Sequence, residues 1–455
     1  MKQLQRARRS ALRFYSTLML VIIIAGLLAA CGDNTATTAA TTTAAPATTT
    51  AAAATTAAAT TAAAATTAAA TTASVATTAA ATGGNTTGVT DTEIVIGGWG
   101  PQTGPAAVYG AIDRTIAGYF KKVNDDGGIN GRKVKFIYED DAYSPPRTVT
   151  AVKKLVEQDK VFGIVAGLGT PNNVAVMDYL VASGVPHVAP ATGSSIICCQ
   201  PLKKNIFALQ TNYSVEGAIL TQYAVANLST KKVAVFYQND PFGKEGYVAI
   251  DGVLKAKGLA ASTGVTYETT DKDFSSQALK LQQTGADTLI LWSTPQPTAG
   301  LLKEIDKLGW KPTILMSGVN ADPSTIALAG STIEGAWSAG WLPDYTNASD
   351  PKVVPYLDFM KKYLPNEVVG GFSVSGYAEA ELMATGLKKA GKNLTRESFI
   401  AAMESLNGFD EGMAYKVSYS PTSRQGQNAV YLAQASVKDK AFVKKTDFIE
   451  YKPTN

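Results

Sequence analysis

Residues 93–110 read EIVIGGWGPQTGPAAVYG. Ile94, Val95 and Ile96 form a short apolar run, the mark of a buried strand. Gly97, Gly98, Gly100 and Gly104 follow, and they predict a loop with unshielded backbone. Pro105 suits the first position of a helix, and Ala111, Ile112, Ile116 and Phe120 continue at helical spacing. A buried strand, a glycine turn and a helix start make half of a βαβ unit. In open α/β sheets the crevice beyond the carboxyl ends of the strands takes the ligand; a tight turn without a ligand is the plainer alternative.

The alternation continues downstream. Strands are predicted at 133–138 (KVKFIY), 161–165 (VFGIV) and 185–188. Ser144-Pro145 opens one helix, and Thr170-Pro171 opens another with Thr170 as its N-cap. A second round begins near Tyr213, with helices at 215–228, 274–283 and 298–309 and one ending near 257. Its strands fall at 232–237 (KVAVFY), 264–267, 288–292 (TLILW), 313–317 and 335–338. Two successive rounds predict two similar lobes, each a parallel sheet with helices on both faces. Helices return at 355–363, 375–390 and 396–405, and strands at 415–419 and 429–435. The simplest path crosses back to the first lobe and finally returns to the second.

Upstream of residue 91 the chain reads as delivery. Lys2, Arg6, Arg8, Arg9 and Arg13 precede an apolar stretch at 18–28 that is too short for a confident membrane span. It ends in Leu28-Ala29-Ala30-Cys31, which resembles the bacterial lipobox. The resemblance implies a signal peptide at 1–30 and a lipid on Cys31, anchoring the protein to the outer face of the cell membrane. Residues 31–90 are almost wholly Ala and Thr after the first few, and no apolar face exists to offset the entropy of ordering them. They read as a solvated, disordered tether whose threonines are open to O-glycosylation.

Composition excludes several functions. The charge is +4, from 41 basic and 37 acidic residues, and no basic–aromatic run suggests nucleic-acid binding. Cys198 and Cys199 are the only cysteines besides Cys31, so neither a disulfide framework nor a zinc site is expected. They form either a vicinal disulfide or two free thiols. His187, the single histidine, reads as a packed residue beside a strand and leaves a catalytic triad poorly supplied. GFSVSGY at 371–377 resembles a nucleophile elbow only superficially, because Ser375 stands where the second glycine belongs.

Five stretches in order carry a family likeness: TGPAAVYG (103–110), GGINGRKVKFIYEDDAYSPPRTVTAVKKLV (127–156), VFGIVAGLGTPNNVAV (161–176), VPHVAPATG (185–193) and VAVFYQNDPFGKEGY (233–247). Together they resemble the branched-chain amino-acid-binding type of periplasmic substrate-binding protein, the type I fold that serves ATP-binding-cassette importers. The resemblance implies an α/β fold of two Rossmann-like lobes with parallel-sheet cores, joined by three hinge crossings near 208–213, 339–343 and 417–420. The lobes would comprise 91–210 with 342–417, and 211–341 with 418–455. It implies a monomer that uses no cofactor and no metal, has no catalytic residue and hands a small ligand to permease subunits.

By position, Tyr109 would cover the ligand, while Thr170, Ala191, Thr192 and Gly193 would hold its carboxylate. Phe242 would close it from the second lobe. Thr294 and Asn320, in the loops 293–298 and 317–321, would line the opposite wall. The N–H groups and dipole at the start of the Pro171 helix suit an anion, although Thr170 could serve only as a cap. Trp99 and Trp292 either pack or stack on a ligand ring. The family's amino-acid binders place a glutamate for the ligand ammonium in the loop that reads Ser317-Gly318-Val319-Asn320 here, and no acid stands there. Asp322 is slightly later and Asp240 lies across the cleft. The expected ligand is therefore an amino acid held differently or a carboxylate without an amine. A ligand-sensing module reporting to a membrane receptor is the alternative function, and an anchored extracellular enzyme is the remote one.

Overall fold

The computed structural model describes residues 84–451. The signal peptide, Cys31 and the tether as far as residue 83 lie outside the described residues. Residues 85–90, which composition assigns to the tether, belong to the first lobe. The Asn85 N–H donates to Glu397 at 2.9 Å, and the Arg396 N–H donates to the Asn85 carbonyl at 2.9 Å. Val89 bridges Ile94 and packs on the first core. These backbone bonds and this burial outweigh the polar composition that suggested continued disorder.

The first lobe opens with β1 (Glu93–Gly100), α1 (Ala111–Asp125), β2 (Lys133–Asp140), α2 (Pro145–Lys153), β3 (Gly163–Val165) and α3 (Thr170–Ser183). It continues with β4 (His187–Val188), α4 (Ser195–Cys198) and β5 (Ile206–Phe207). All five strands run parallel in the order β2-β1-β3-β4-β5. Ile94 and Ile96 face one core and Trp99 faces the other, as the two-residue period of a strand requires.

The glycines of the opening stretch differ from expectation. Gly97, Gly98 and Gly100 lie inside β1, not in the loop after it. A side chain at Gly97 would press on Leu155 and Val161, and one at Gly98 on Phe136. The glycines therefore record close packing on both faces of the strand. Gly104 has φ +81° and turns the chain, so Pro105 sits in that turn. The helix starts later, through a 3-10 turn over Ala107–Gly110.

The second lobe contains α5 (Tyr213–Asn227), β6 (Val233–Gln238), α6 (Pro241–Ala256), β7 (Thr263–Tyr267), α7 (Ser275–Gln283) and β8 (Thr288–Trp292). It adds α8 (Pro295–Lys307), β9 (Thr313–Met316), α9 (Pro323–Ala329) and β10 (Trp337–Gly340). Strands β7-β6-β8-β9-β10 are parallel. The sheet is then extended by antiparallel β11 (Ala429–Ser436) and β12 (Ala441–Lys444), while β13 (Ile449–Glu450) pairs the start of β11. Leu289 and Leu291 enter one core, Ile290 and Trp292 the other.

Between these parts, α10 (Val354–Tyr363), α11 (Gly371–Ala390) and α12 (Arg396–Glu404) pack on the first lobe's core through Phe359, Met383 and Phe399. The chain passes between lobes after β5 and again after β10. The last passage comes later than the expected 417–420. Val417 and Tyr419 are buried in the first core, and Tyr419 packs edge-on to Phe207. Arg424 is buried over Phe207 and donates to the Lys204 carbonyl, holding this segment in place. The crossing follows at 425–429, where the Gly426 N–H donates to Ala208 and the Thr211 hydroxyl donates to Ala429. The expected strand at 415–419 is reduced to one bridge, Phe409 to Val417, because Lys416 adopts a left-handed backbone that breaks it.

Among the described residues no helix is long and apolar enough to cross a membrane. Cys198 and Cys199 are joined as a vicinal disulfide. His187 is buried against Trp99 and hydrogen-bonded to the Ala166 carbonyl; burial holds its pKa down at about 4, so it is neutral at physiological pH.

Candidate ligand-binding cleft

A cavity with about 830 Å³ of empty space, its mouth included, lies between the two lobes. The lobes close over it through direct hydrogen bonds. Tyr109 Oη donates to the Val319 carbonyl at 3.0 Å, and Gln238 Nε2 donates to Tyr143 Oη at 3.3 Å. Ser194 Oγ and the Ser195 N–H donate to the two oxygens of Glu245, at 2.6 and 3.0 Å. The Phe372 N–H donates to Asp322 Oδ2 at 3.0 Å.

The first-lobe wall is set by the carboxyl ends of β3 and β4. Leu168, Gly169 and Thr170 face the cavity where α3 begins, and Ala191 faces it beside them. Gly169, with φ +103°, is the N-cap, and Thr170 is the first helical residue. The expected capping role of Thr170 is therefore not what its hydroxyl does. Instead Thr170 Oγ1 lies 2.7 Å from Thr192 Oγ1, which also accepts from the Ser194 N–H at 3.2 Å. The first-turn N–H groups of a helix precede any helical acceptor. With the positive end of the helix dipole they give this wall the chemistry of an anion site.

Of the eight expected site residues, the cavity wall brings together Tyr109, Thr170, Ala191, Phe242 and Thr294. The other three lie behind it. Thr192 supports Thr170 through the hydroxyl pair. Gly193 lets the Thr211 carbonyl and the Tyr213 ring approach, which a side chain would block. Asn320 is fully buried and donates to the Ser293 carbonyl at 2.7 Å, so its backbone neighbours Val319 and Ala321 reach the cavity instead. Trp99 and Trp292 are wholly buried in the lobe cores, where Gly167 and Gly246 give them room, and neither lines the cavity.

The sequence reading missed the other end. There the wall is built from the second crossing, Trp341, Leu342, Pro343 and Tyr345, from the start of α11, Phe372, Val374 and Ser375, and from Tyr431 of β11. Phe372 packs against Tyr109 with ring centroids 4.5 Å apart. The stretch set aside as a failed nucleophile elbow is thus a helix start lining the cleft. Its available signal was the cluster Gly370-Gly371-Phe372, glycines beside an aromatic residue at a helix N-terminus. Gly371 lets α11 approach the Ala321 carbonyl.

Two aspartates near the cleft cap helices, while Glu216 has one bonded oxygen and one without a partner among the described residues. Asp322 caps α9 through the Ser324 N–H at 2.8 Å, and Asp240 caps α6 through the Gly243 N–H at 3.2 Å. Burial pushes both carboxyls upward. Glu216 accepts from the Gly318 N–H at 2.7 Å, and burial raises its pKa to about 7.

The architecture matches known proteins. A leucine/isoleucine/valine-binding protein homologue from Brucella melitensis is 27% identical over 308 residues, covering 66% of this chain and 80% of that relative. The solved fatty acid ABC transporter substrate-binding protein from Thermomonospora curvata superposes with a TM-score of 0.75 at 24% identity, over 81% of this chain and 95% of that one. A branched-chain amino acid ABC transporter protein from Thermus thermophilus with bound valine superposes with a TM-score of 0.72 at 21% identity, over 79% and 97%. The model of the periplasmic binding protein family matches residues 93–441. Two α/β lobes closing over a cleft, matched along most of the chain, place this protein in the periplasmic binding protein family, with its type I fold.

Proposed function

We propose that this protein is the solute-binding component of an ATP-binding-cassette importer and captures a small carboxylate-bearing ligand between its lobes. The family is one of ligand-binding proteins that work outside the cytoplasm. The observation that carries the carboxylate reading is the helix start at Gly169 and Thr170, which faces a cavity closed by both lobes. In this reading the carboxylate meets the Thr170 hydroxyl, the first-turn N–H groups of α3 and the backbone at Ala191. Thr192 and Gly193 fix that wall from behind. Tyr109 and Phe242 cover the ligand, Thr294 and the segment around Asn320 form the far wall, and no residue acts as a catalyst. The closed form docks on permease subunits, and a lipid on Cys31 keeps the protein at the outer face of the membrane.

The test is a thermal-shift series on the full-length protein with amino acids, simple carboxylates and their methyl esters. A ligand at 100 times its dissociation constant adds about 2.7 kcal/mol of stability. At least one free acid is expected to raise the melting temperature while its ester does not. Equal shifts from acid and ester would overturn the carboxylate reading.

A further inference from the structure

We propose that the ligand is a monocarboxylate without an amine, whose apolar body is longer than an amino-acid side chain and reaches under the hinge. This rests on the carboxylate reading above and names the class of acid.

Charge is the first ground. Among the described residues that line the cavity, none is charged. An ammonium enclosed there would find no opposite charge, and an unpaired buried ammonium is strongly disfavoured. The nearest carboxyls do not supply one. Asp322 takes the Ser324 N–H and hydroxyl on one oxygen and the Phe372 N–H on the other. Asp240 takes Gly243 and Gln238. Glu216 and Glu379 are fully buried behind the wall and do not line the cavity; one oxygen of each is bonded, to the Gly318 N–H and the Ser375 hydroxyl, and the other has no partner among the described residues. Burial pushes all four upward, which favours the neutral acid wherever no cation stands close.

Shape is the second ground. The anion-suited wall occupies one end of the cavity, and the space continues to Leu342, Tyr345, Phe372, Val374 and Tyr431 under the hinge. An amino acid held at Thr170 would leave this mainly apolar end, where the Tyr345 hydroxyl is the buried polar atom without a partner among the described residues, without contacts. A longer aliphatic or aromatic body would fill it, and each buried methylene is worth roughly fourfold in affinity.

Titration calorimetry on the full-length protein tests this with matched pairs: leucine against 4-methylpentanoate, phenylalanine against 3-phenylpropanoate, then straight-chain acids from butanoate to dodecanoate. Each amine-free member is expected to bind at least tenfold tighter than its amino acid. Affinity is expected to rise with chain length by roughly fourfold per methylene until the far end is full. A Val374→Trp variant, checked for folding by circular dichroism, is expected to weaken the long acids more than the short ones. Leucine or phenylalanine binding as tightly as its partner overturns the proposal and leaves the carboxylate reading intact. So does an affinity that does not grow with length, which is read on the unmodified protein and needs no variant. Alkyl alcohols of matched length binding as tightly as the acids would overturn the carboxylate reading itself.

Discussion

At the Thr170 end of the cavity the wall is polar, compact and drawn from neighbouring strand ends. Under the hinge it is aromatic and assembled from segments more than three hundred residues apart, from Ile112 to Tyr431. The ends also differ in what stands behind them. Thr170 is backed by Thr192, a hydroxyl that stays neutral at every physiological pH. Ser375 is backed by Glu379, whose carboxyl is pushed up by burial first and by the neighbouring Asp113 after it. Hydroxyls and backbone dipoles stand behind one end, and buried acids with raised pKa values stand behind the other.

The largest effect should come from that second set. Burial first, and the neighbouring carboxyls after it, raise Asp113 to about 7, and burial lifts Glu379 well above its ordinary range. A proton held more tightly in the folded chain than in the unfolded one stabilises the fold fully below the unfolded pKa. That stabilisation is lost as pH rises through the folded value. Stability should therefore fall by a few kcal/mol between about pH 4 and pH 7. Asp113→Asn should flatten the decline, as read by urea unfolding across that range. Parallel profiles for the variant and the unmodified protein would break the contrast between the two ends.

A smaller loss is expected at the polar end. Thr170→Val removes the hydroxyl facing the carboxylate, a charge-assisted bond worth about 1.5–3 kcal/mol, so affinity for a bound acid should fall by roughly ten- to hundredfold. Calorimetry showing less than a threefold loss would remove Thr170 from the anion site. Smaller still is Tyr109→Phe, which deletes the bond to the Val319 carbonyl across the lobes. It should cost about 0.5–1.5 kcal/mol and appear mainly as faster ligand release in stopped-flow traces. Slower association with unchanged release would place Tyr109 in capture instead of closure.

The same contrast decides what was legible in the sequence. The polar end is written in contiguous stretches, Gly167 to Val174 and Ala189 to Gly193, where a strand end, a glycine and a helix start follow one another. Local rules locate such a helix start to within a residue, while the roles of Thr170, Ala191, Thr192 and Gly193 came from the family resemblance. The hinge end has no local signature, because Trp341, Phe372 and Tyr431 meet only once both lobes are folded and the chain has crossed between them. The two lobes and their parallel sheets followed from alternating periodicity, but the path between them was less exact. Tyr419 read as part of a crossing strand, yet its ring had a slot beside Phe207 that no sequence period reveals. Gly97 and Gly98 read as loop for a related reason. Glycine signals freedom in isolation, whereas here it signals close neighbours, Leu155 and Phe136, contributed by distant parts of the chain. Asn320 was expected at the wall, but its side chain lies behind it, since its amide is consumed by the Ser293 carbonyl.

The clamp formed by residues 85–95 has a mechanical meaning. Asn85 is tied to Arg396 and Glu397, Thr90 accepts from Arg132, and the Val95 N–H donates to Gly88, all within the first lobe. Tension arriving along the chain from its amino-terminal side would first meet these bonds of the first lobe. The three crossings lie outside this set of bonds, so the chain enters the first lobe without passing through the hinge.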